Sequence, residues 1–289
     1  MLPKVIYIET TNLCNAKCIM CPHERITRNP PYMKDEVFDK IVGELEKNEL
    51  EGTQIFLHKE GEPLMDPKLM DRLTIVASKF AHKNEVGIST NAMLFSKKIA
   101  DKFIDTGANM IFFSIDGVEK EEYERIRVNL KYDIVEQNIK YFLQRCKDEK
   151  LNIRVVMQML IQSENNSSEK FIELWKQYPC EFYIKEMHSY LDGGHSSQTS
   201  CIGKSQINLC DDPFRLIVIY TNGNAGLCCW DYNNEYCIGN IMESSLYELF
   251  NGKKANNLRN AIVLKKCKKI VPCNRCAKVF GNDHITSYK

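Results

Sequence analysis

From Val5 to Met187, short apolar runs alternate with longer stretches of helical periodicity, and this rhythm constrains the fold more than any other feature of the chain. Residues 5–8, 54–57, 85–89, 110–114, 153–159 and 182–187 read as strands, each short and bounded by polar or turn residues. Between them, 35–48, 67–82, 96–106, 132–147 and 169–178 place apolar residues three and four apart, as amphipathic helices do. Pro67 suits a first helical turn and Gly107 a helix stop. Strand and helix in alternation call for an α/β fold with a parallel sheet. Six strands are too few for a complete eight-stranded barrel, so a partial (β/α)6 barrel of the TIM type is expected.

The rhythm breaks at 189–206, where Gly193-Gly194-His195-Ser196-Ser197 reads as a linker or lid. Beyond it, 214–221 and 225–229 flank Asn222-Gly223-Asn224, a hairpin signal, and 244–250 and 254–264 read as helices. The expected division is therefore a barrel over 1–195 and a small α+β unit over 196–289. No internal repeat or low-complexity tract is found.

Thirteen cysteines are the compositional excess, and seven of them follow Cys201. The N-terminal run Met1–Glu9 is too short for a secretory signal, and no window is long and apolar enough to span a bilayer. A cytoplasmic location follows as an expectation, and there cysteines serve as metal ligands or buried thiols rather than disulfides. So many thiols also favour a low-oxygen setting. With 39 Lys and Arg against 38 Asp and Glu, the net charge of +1 gives no global attraction to nucleic acid.

Directly after the first strand comes Thr11-Asn12-Leu13-Cys14-Asn15-Ala16-Lys17-Cys18-Ile19-Met20-Cys21-Pro22-His23. Its C-x3-C-x2-C spacing puts three thiols on one loop at a strand's C-terminal end, where barrel active sites are built. Three thiolates leave one iron of a four-iron cluster open for chemistry. A zinc site with His23 as fourth ligand is the competing reading. Zinc favours paired C-x2-C elements, however, and a closed structural site has little reason to occupy a barrel mouth.

This loop resembles the signature of the radical S-adenosylmethionine superfamily, and the resemblance continues along the barrel. Lys59-Glu60-Gly61-Glu62-Pro63, after the second strand, is similar to the family's Gly-Gly-Glu-Pro segment, which holds the cofactor's amino group, and departs from it at Glu60. Ser89-Thr90-Asn91 resembles the ribose-side strand end. Ser114-Ile115-Asp116-Gly117, with the segment through Arg127, resembles the part that meets the methionine carboxylate. The resemblance implies that Gly61 and Glu62 hold the amine, Ser89 and Asn91 the ribose side, and Ser114 and Arg127 the carboxylate. It further implies Gln158 near the ribose and Met20 against adenine. Taken singly, Ser114 is a turn former and Arg127 a solvated helix residue. A zwitterionic ligand nevertheless needs a carboxylate for its amine and a guanidinium for its carboxylate.

Cys210, Gly223, Cys228, Cys229 and the Cys273-Asn274-Arg275-Cys276 clamp resemble the family's C-terminal SPASM or twitch extension. By that resemblance Cys210, Cys228, Cys273 and Cys276 ligate one auxiliary four-iron cluster, with Cys267 a substitute for one of them. A zinc ribbon remains the alternative at these four thiols. Cys146 and Cys180 are expected to pack as small apolar residues.

The implied activity is reductive cleavage of S-adenosylmethionine to a 5'-deoxyadenosyl radical, which abstracts hydrogen from a small molecule. The electron comes from a reductase such as flavodoxin or ferredoxin. Chain size and the single auxiliary site are similar to those of queuine lyase, which implies carbon–nitrogen cleavage releasing a deazaguanine base. Glu60 and Asp231 are the acids available to such a substrate. The alternative enzyme is a dehydrogenase of an alcohol or a protein side chain. From another class, the chain reads as an electron carrier or a zinc-binding interaction module.

Overall fold

The computed structural model describes residues 1–161, 168–186 and 209–276, together with the backbone of strand Ile285–Tyr288. Six strands pair in chain order and all in parallel. They are β1 (Val5–Ile8), β2 (Gln54–Phe56), β3 (Glu85–Thr90), β4 (Met110–Ser114), β5 (Arg154–Ile161) and β6 (Glu181–Glu186). The connections carry α1 (Asp35–Glu46), α2 (Leu69–Phe80), α3 (Lys97–Asp105), α4 (Lys120–Ile126), α5 (Tyr132–Asp148) and α6 (Ser168–Trp175). Parallel strands need such crossovers, and the result is the expected partial barrel.

Alternation along each strand makes two apolar layers. Ile6, Ile8, Ile55, Ile88, Ile111, Phe113, Val155 and Met157 join the large core shared with the helices. Phe95, Phe103, Phe113 and Phe142 meet there tilted or edge to face, with centroids 5.3–5.9 Å apart. On the opposite, inner face, Val5, Phe56, Met110, Leu216, Val218 and Tyr220 pack together with Tyr7 and Phe112. Gly87 is obligatory in β3, because a Cβ there would stand 1.7 Å from the Met110 carbonyl oxygen. Gly107, at φ +76°, ends α3 as its sequence position suggests.

The later chain does not stand apart from this sheet. Strand β7 (Leu216–Ile219) pairs in parallel with β1, and β8 (Asn224–Gly226) and β9 (Gly239–Asn240) extend it antiparallel. Strand β10 (Ile285–Tyr288) lies antiparallel on β6 at the far edge. Two helices, α8 (Leu246–Asn251) and α9 (Lys253–Val263), follow a short turn of helix, α7 (Asp212–Arg215). A capping box between Ser245 and Glu248 fixes the start of α8.

Two details differ from the sequence reading. Pro67 sits in a turn before α2 rather than in its first helical turn. The seven-residue α4 was not separated from the motif it carries. The linker at 189–206, and with it the boundary between 195 and 196, lies outside the described residues. Among the described residues no helix is long and apolar enough to cross a membrane.

Candidate active site

Because β1 to β6 run parallel, their C-terminal ends gather the site residues on one rim. The chain leaving β1 forms the cysteine loop, which its own backbone and side chains hold in place. Thr11 Oγ1 donates to the Pro31 carbonyl at 2.9 Å, and Asn12 Nδ2 donates to the Arg28 carbonyl at 3.0 Å. His23 Nε2 meets the Asn12 carbonyl at 2.7 Å, so that nitrogen is engaged as a donor and not as a metal ligand. Lys17 and Cys18 pair antiparallel with Val128 and Arg127, which ties the loop to the end of α4. Cys14, Cys18 and Cys21 are each half-buried, and a cavity of about 410 Å³ opens beside Cys18, Cys21 and His23. Burial pushes the Cys14 thiol up to about 11 and the Cys21 thiol up to about 12, so a metal must displace protons to bind there.

Gly61 joins the second strand end to this loop. A Cβ on Gly61 would lie 2.6 Å from the Leu13 carbonyl oxygen and 2.7 Å from that of Thr11. The close approach lets Glu62 N–H donate to the Leu13 carbonyl at 2.8 Å. The buried Glu62 carboxylate accepts from Thr90 Oγ1 at 2.7 Å and from Asn91 N–H at 2.8 Å. Burial nevertheless raises its pKa above the ordinary value. Asn91 also donates to Asn15 Oδ1 in the cysteine loop at 2.8 Å. Farther along the rim, Ser89 and Ser114 hydroxyls lie 3.2 Å apart and Gln158 Nε2 reaches Ser114 at 3.5 Å, forming one polar row. Met20 packs with Ile126 and Leu160 as an apolar patch beside it.

Arg127 closes the arrangement. Its Nη2 lies 2.7 Å from Asp116 Oδ2, and its Nη1 reaches Cys18 Sγ at 3.6 Å. Burial works against its charge, but Asp116 and Cys18 outweigh that and hold its pKa above the ordinary arginine value. Its Nε is buried and without a hydrogen-bond partner among the described residues. An orphaned guanidinium N–H beside the cysteines, with a buried carboxylate across the same loop, fits an amino acid ligand bearing both charges.

At the same strand end, just before Gly61, Lys59 and Glu60 form a buried ion pair, and Lys59 Nζ donates to the Cys229 carbonyl at 2.8 Å. His58 Nδ1 accepts from Ser89 N–H at 3.0 Å, and the ring stands edge-on to Tyr7 and Phe56. Desolvation, helped by Lys59, lowers the His58 pKa to about 3, which keeps it neutral. Asp231 spends its carboxylate on the backbone: Oδ1 accepts from Glu235 N–H at 2.8 Å and Oδ2 from Tyr236 N–H at 2.9 Å. That is an anchoring job, and it leaves Glu60 as the freer acid of the two expected at the substrate.

The later cysteines also gather. Charge on Cys273 is opposed, after burial, by Cys276, Cys267 and Cys210, and charge on Cys228 by Cys229 and Cys276. Trp230 N–H points at Cys228 Sγ from 3.3 Å. Cys267 is fully buried. Cys146 is buried in the helical core and Cys180 packs against it, as expected of small apolar residues.

The profile described as "Radical SAM superfamily" matches residues 8–174. The chain belongs to the radical SAM superfamily. A second profile, "Iron-sulfur cluster-binding domain" of the SPASM type, matches residues 210–277. Among relatives, the "Tungsten-containing aldehyde ferredoxin oxidoreductase cofactor-modifying protein" of Pyrococcus furiosus is 32% identical over 114 residues. That match covers 39% of this chain and 31% of the relative, so the chain spans under a third of that protein's length. In fold the chain is similar to BtrN solved with AdoMet and 2-DOIA, at TM-score 0.64 and 16% identity over 99% of both chains. It is likewise similar to anSMEcpe with bound AdoMet, at TM-score 0.65 and 16% identity, covering 94% of this chain and 87% of that one.

Radical SAM membership with a SPASM-type segment gives the chain its cofactors: S-adenosylmethionine, a four-iron cluster with an open site, and an auxiliary cluster. The donor types suit these groups, with three thiols on one loop and Cys210, Cys228, Cys229, Cys267, Cys273 and Cys276 in electrostatic reach of one or more of the others in the later segment. The structure brings Gly61, Glu62, Asn91 and Arg127 around the cysteine loop, with Ser89, Ser114 and Gln158 in one row. Sequence reasoning missed His58, the bridge from Lys59 to the Cys229 carbonyl and the Glu9–Arg28 pair, none of which leaves a local pattern in the sequence. Arg28 Nη2 donates to Glu9 Oε1 at 2.8 Å, and its guanidinium stacks 4.2 Å over Tyr220.

Proposed function

We propose that this radical SAM enzyme dehydrogenates a small polar alcohol or amino alcohol held inside the barrel rim, where the later cysteines would hold a cluster able to accept an electron. The observation that carries the reading is the buried Lys59 bridge. It joins the strand end that holds Glu60, Gly61 and Glu62 to the backbone beside Cys228. A substrate on the inner face thus sits between the two cysteine groups. The full-length likeness to a fold that accommodates AdoMet and 2-DOIA supports a small substrate.

In this reading Cys14, Cys18 and Cys21 hold the open-site cluster, and Cys210, Cys228, Cys273 and Cys276 the auxiliary one, with Cys267 adjacent. When bound, the reduced open-site cluster and S-adenosylmethionine together supply a carbon radical that abstracts substrate hydrogen. Glu62 holds the cofactor's ammonium and Arg127 its carboxylate, while Ser89, Asn91, Ser114 and Gln158 line the ribose side and Met20 the adenine. His58, locked by Ser89 with its proton on Nε2, offers a neutral donor to a substrate oxygen. Glu60, balanced by Lys59, accepts the proton that leaves the substrate hydroxyl as the carbonyl forms. The inner aromatic layer keeps water from the reacting carbon.

The test is anaerobic turnover of reconstituted enzyme with S-adenosylmethionine and a reductant, against a panel of amino alcohols and against queuine. A carbonyl product with stoichiometric deoxyadenosine supports dehydrogenation. Release of an aminomethyl-deazaguanine base from queuine, with no carbonyl product from the panel, replaces that reading with the carbon–nitrogen lyase.

A further inference from the structure

The near-zero net charge conceals a strong local asymmetry. Residues 253–276 contain eight Lys and Arg and no Asp or Glu, leaving the rest of the chain with 31 basic against 38 acidic side chains. Three of the eight are engaged: Arg259 is buried against the Pro213 carbonyl, Arg275 pairs with Glu235, and Lys254 donates to the Cys237 carbonyl. Lys253, Lys265, Lys266, Lys268 and Lys269 are exposed and form no ion pair among the described residues. Four of these five lysines bracket the buried Cys267 in the sequence. Beside them stand Val263 and Leu264, each 60% exposed, and Val271 at 43%. Apolar side chains ringed by unpaired charge of one sign are the anatomy of a transient protein interface.

We infer that this lysine-ringed patch is the docking surface for an acidic one-electron carrier protein. The inference rests on the auxiliary-cluster reading, since the patch surrounds those cysteines. At each encounter the carrier's own cofactor loses or gains one electron as a cluster of this chain gains or loses one. No bond forms, and the rate depends on how well opposite charges steer the two proteins together.

The experiment follows anaerobic reduction of the cluster-loaded enzyme by reduced flavodoxin in stopped flow, at low and high salt. The variant is Lys265→Glu, Lys266→Glu, Lys268→Glu and Lys269→Glu combined, with the same four positions changed to Gln as a milder set. A control reverses Lys97, Lys98, Lys102 and Lys147, exposed lysines on helices at the other side of the sequence. The patch variant is expected to react about tenfold or more slowly with flavodoxin and to lose most of the salt dependence. Its reduction by dithionite should match wild type, and the control should stay within about twofold. Equal slowing by patch and control variants would reduce the effect to net charge and overturn the proposal. So would unchanged flavodoxin kinetics in both patch sets, even where their binding to a polyanion such as tRNA is lost. Iron content measured on wild type separates the failures: about four irons per chain instead of eight removes the auxiliary cluster itself, whatever the docking kinetics show.

Discussion

At Gly61 and Arg127, backbone space and unpaired charge each make a distinct demand. Gly61→Ala forces a methyl group onto the Leu13 and Thr11 carbonyls at 2.6 and 2.7 Å, both backbone atoms. We expect deoxyadenosine formation to fall about a hundredfold or more, with a stability loss of about 1–3 kcal/mol by thermal melting. Arg127→Gln leaves Asp116, itself only 1% exposed, as an uncompensated buried charge. That should cost about 3–5 kcal/mol in denaturant unfolding and abolish cofactor binding. Adding Asp116→Asn should restore most of the stability and none of the binding. Near-native binding by the double variant would show that Arg127 serves Asp116 alone. Glu62 gives a pH test. Its folded pKa is raised by burial, so its ionisation weakens the ligand-free fold as pH climbs past the ordinary carboxyl value of 4.5. The cofactor's ammonium needs that ionised form. Cofactor affinity should therefore weaken as pH falls from neutrality through the raised Glu62 pKa, and Glu62→Gln should bind weakly with no such slope.

Among elements, strands were read almost to the residue, because alternation and short apolar runs mark them locally: β1 and β4 match the expected bounds, and β2, β3, β5 and β6 differ by one or two residues. The cysteine loop was equally legible, since its three cysteines lie within eight residues of one another. What stayed hidden is long-range. Lys59 meets Cys229 across 170 residues and Arg28 meets Tyr232 across 204, and neither contact leaves a periodic trace in the sequence. The short α4 was hidden for a different reason: seven residues give too few turns for an apolar stripe to show. Grouping of the later cysteines makes its own prediction. Replacing Cys273 and Cys276 with Ala should lower iron from about eight to about four per chain and remove one paramagnetic signal. Replacing Cys14, Cys18 and Cys21 should remove the other signal and all cofactor cleavage. Cys146→Ala, which touches only the helical core, should leave both signals intact.

At the scale of the whole molecule, the barrel strands and the later cysteine-bearing segment share one sheet and one buried electrostatic seam. Strand β7 lies on β1 over four registered pairs. Above that pairing, Arg28 from the cysteine loop binds Glu9, stacks on Tyr220 and donates to the Tyr232 carbonyl at 2.6 Å. Glu9 in turn accepts from Thr221 N–H at 3.3 Å. Neither cysteine group can loosen without disturbing the other, because the same guanidinium braces both loops. Unfolding of the loaded protein should therefore show one transition, with barrel and later segment lost together. Arg28→Met strands the Glu9 carboxylate at zero exposure and should cost about 3–5 kcal/mol. Its distinguishing readout is iron: signals from both clusters should decay together and faster than wild type under a chelator. Loss confined to one cluster, with a second unfolding transition appearing even in wild type, would mean that the two halves are held by the sheet edge alone and that the seam at Arg28 is incidental.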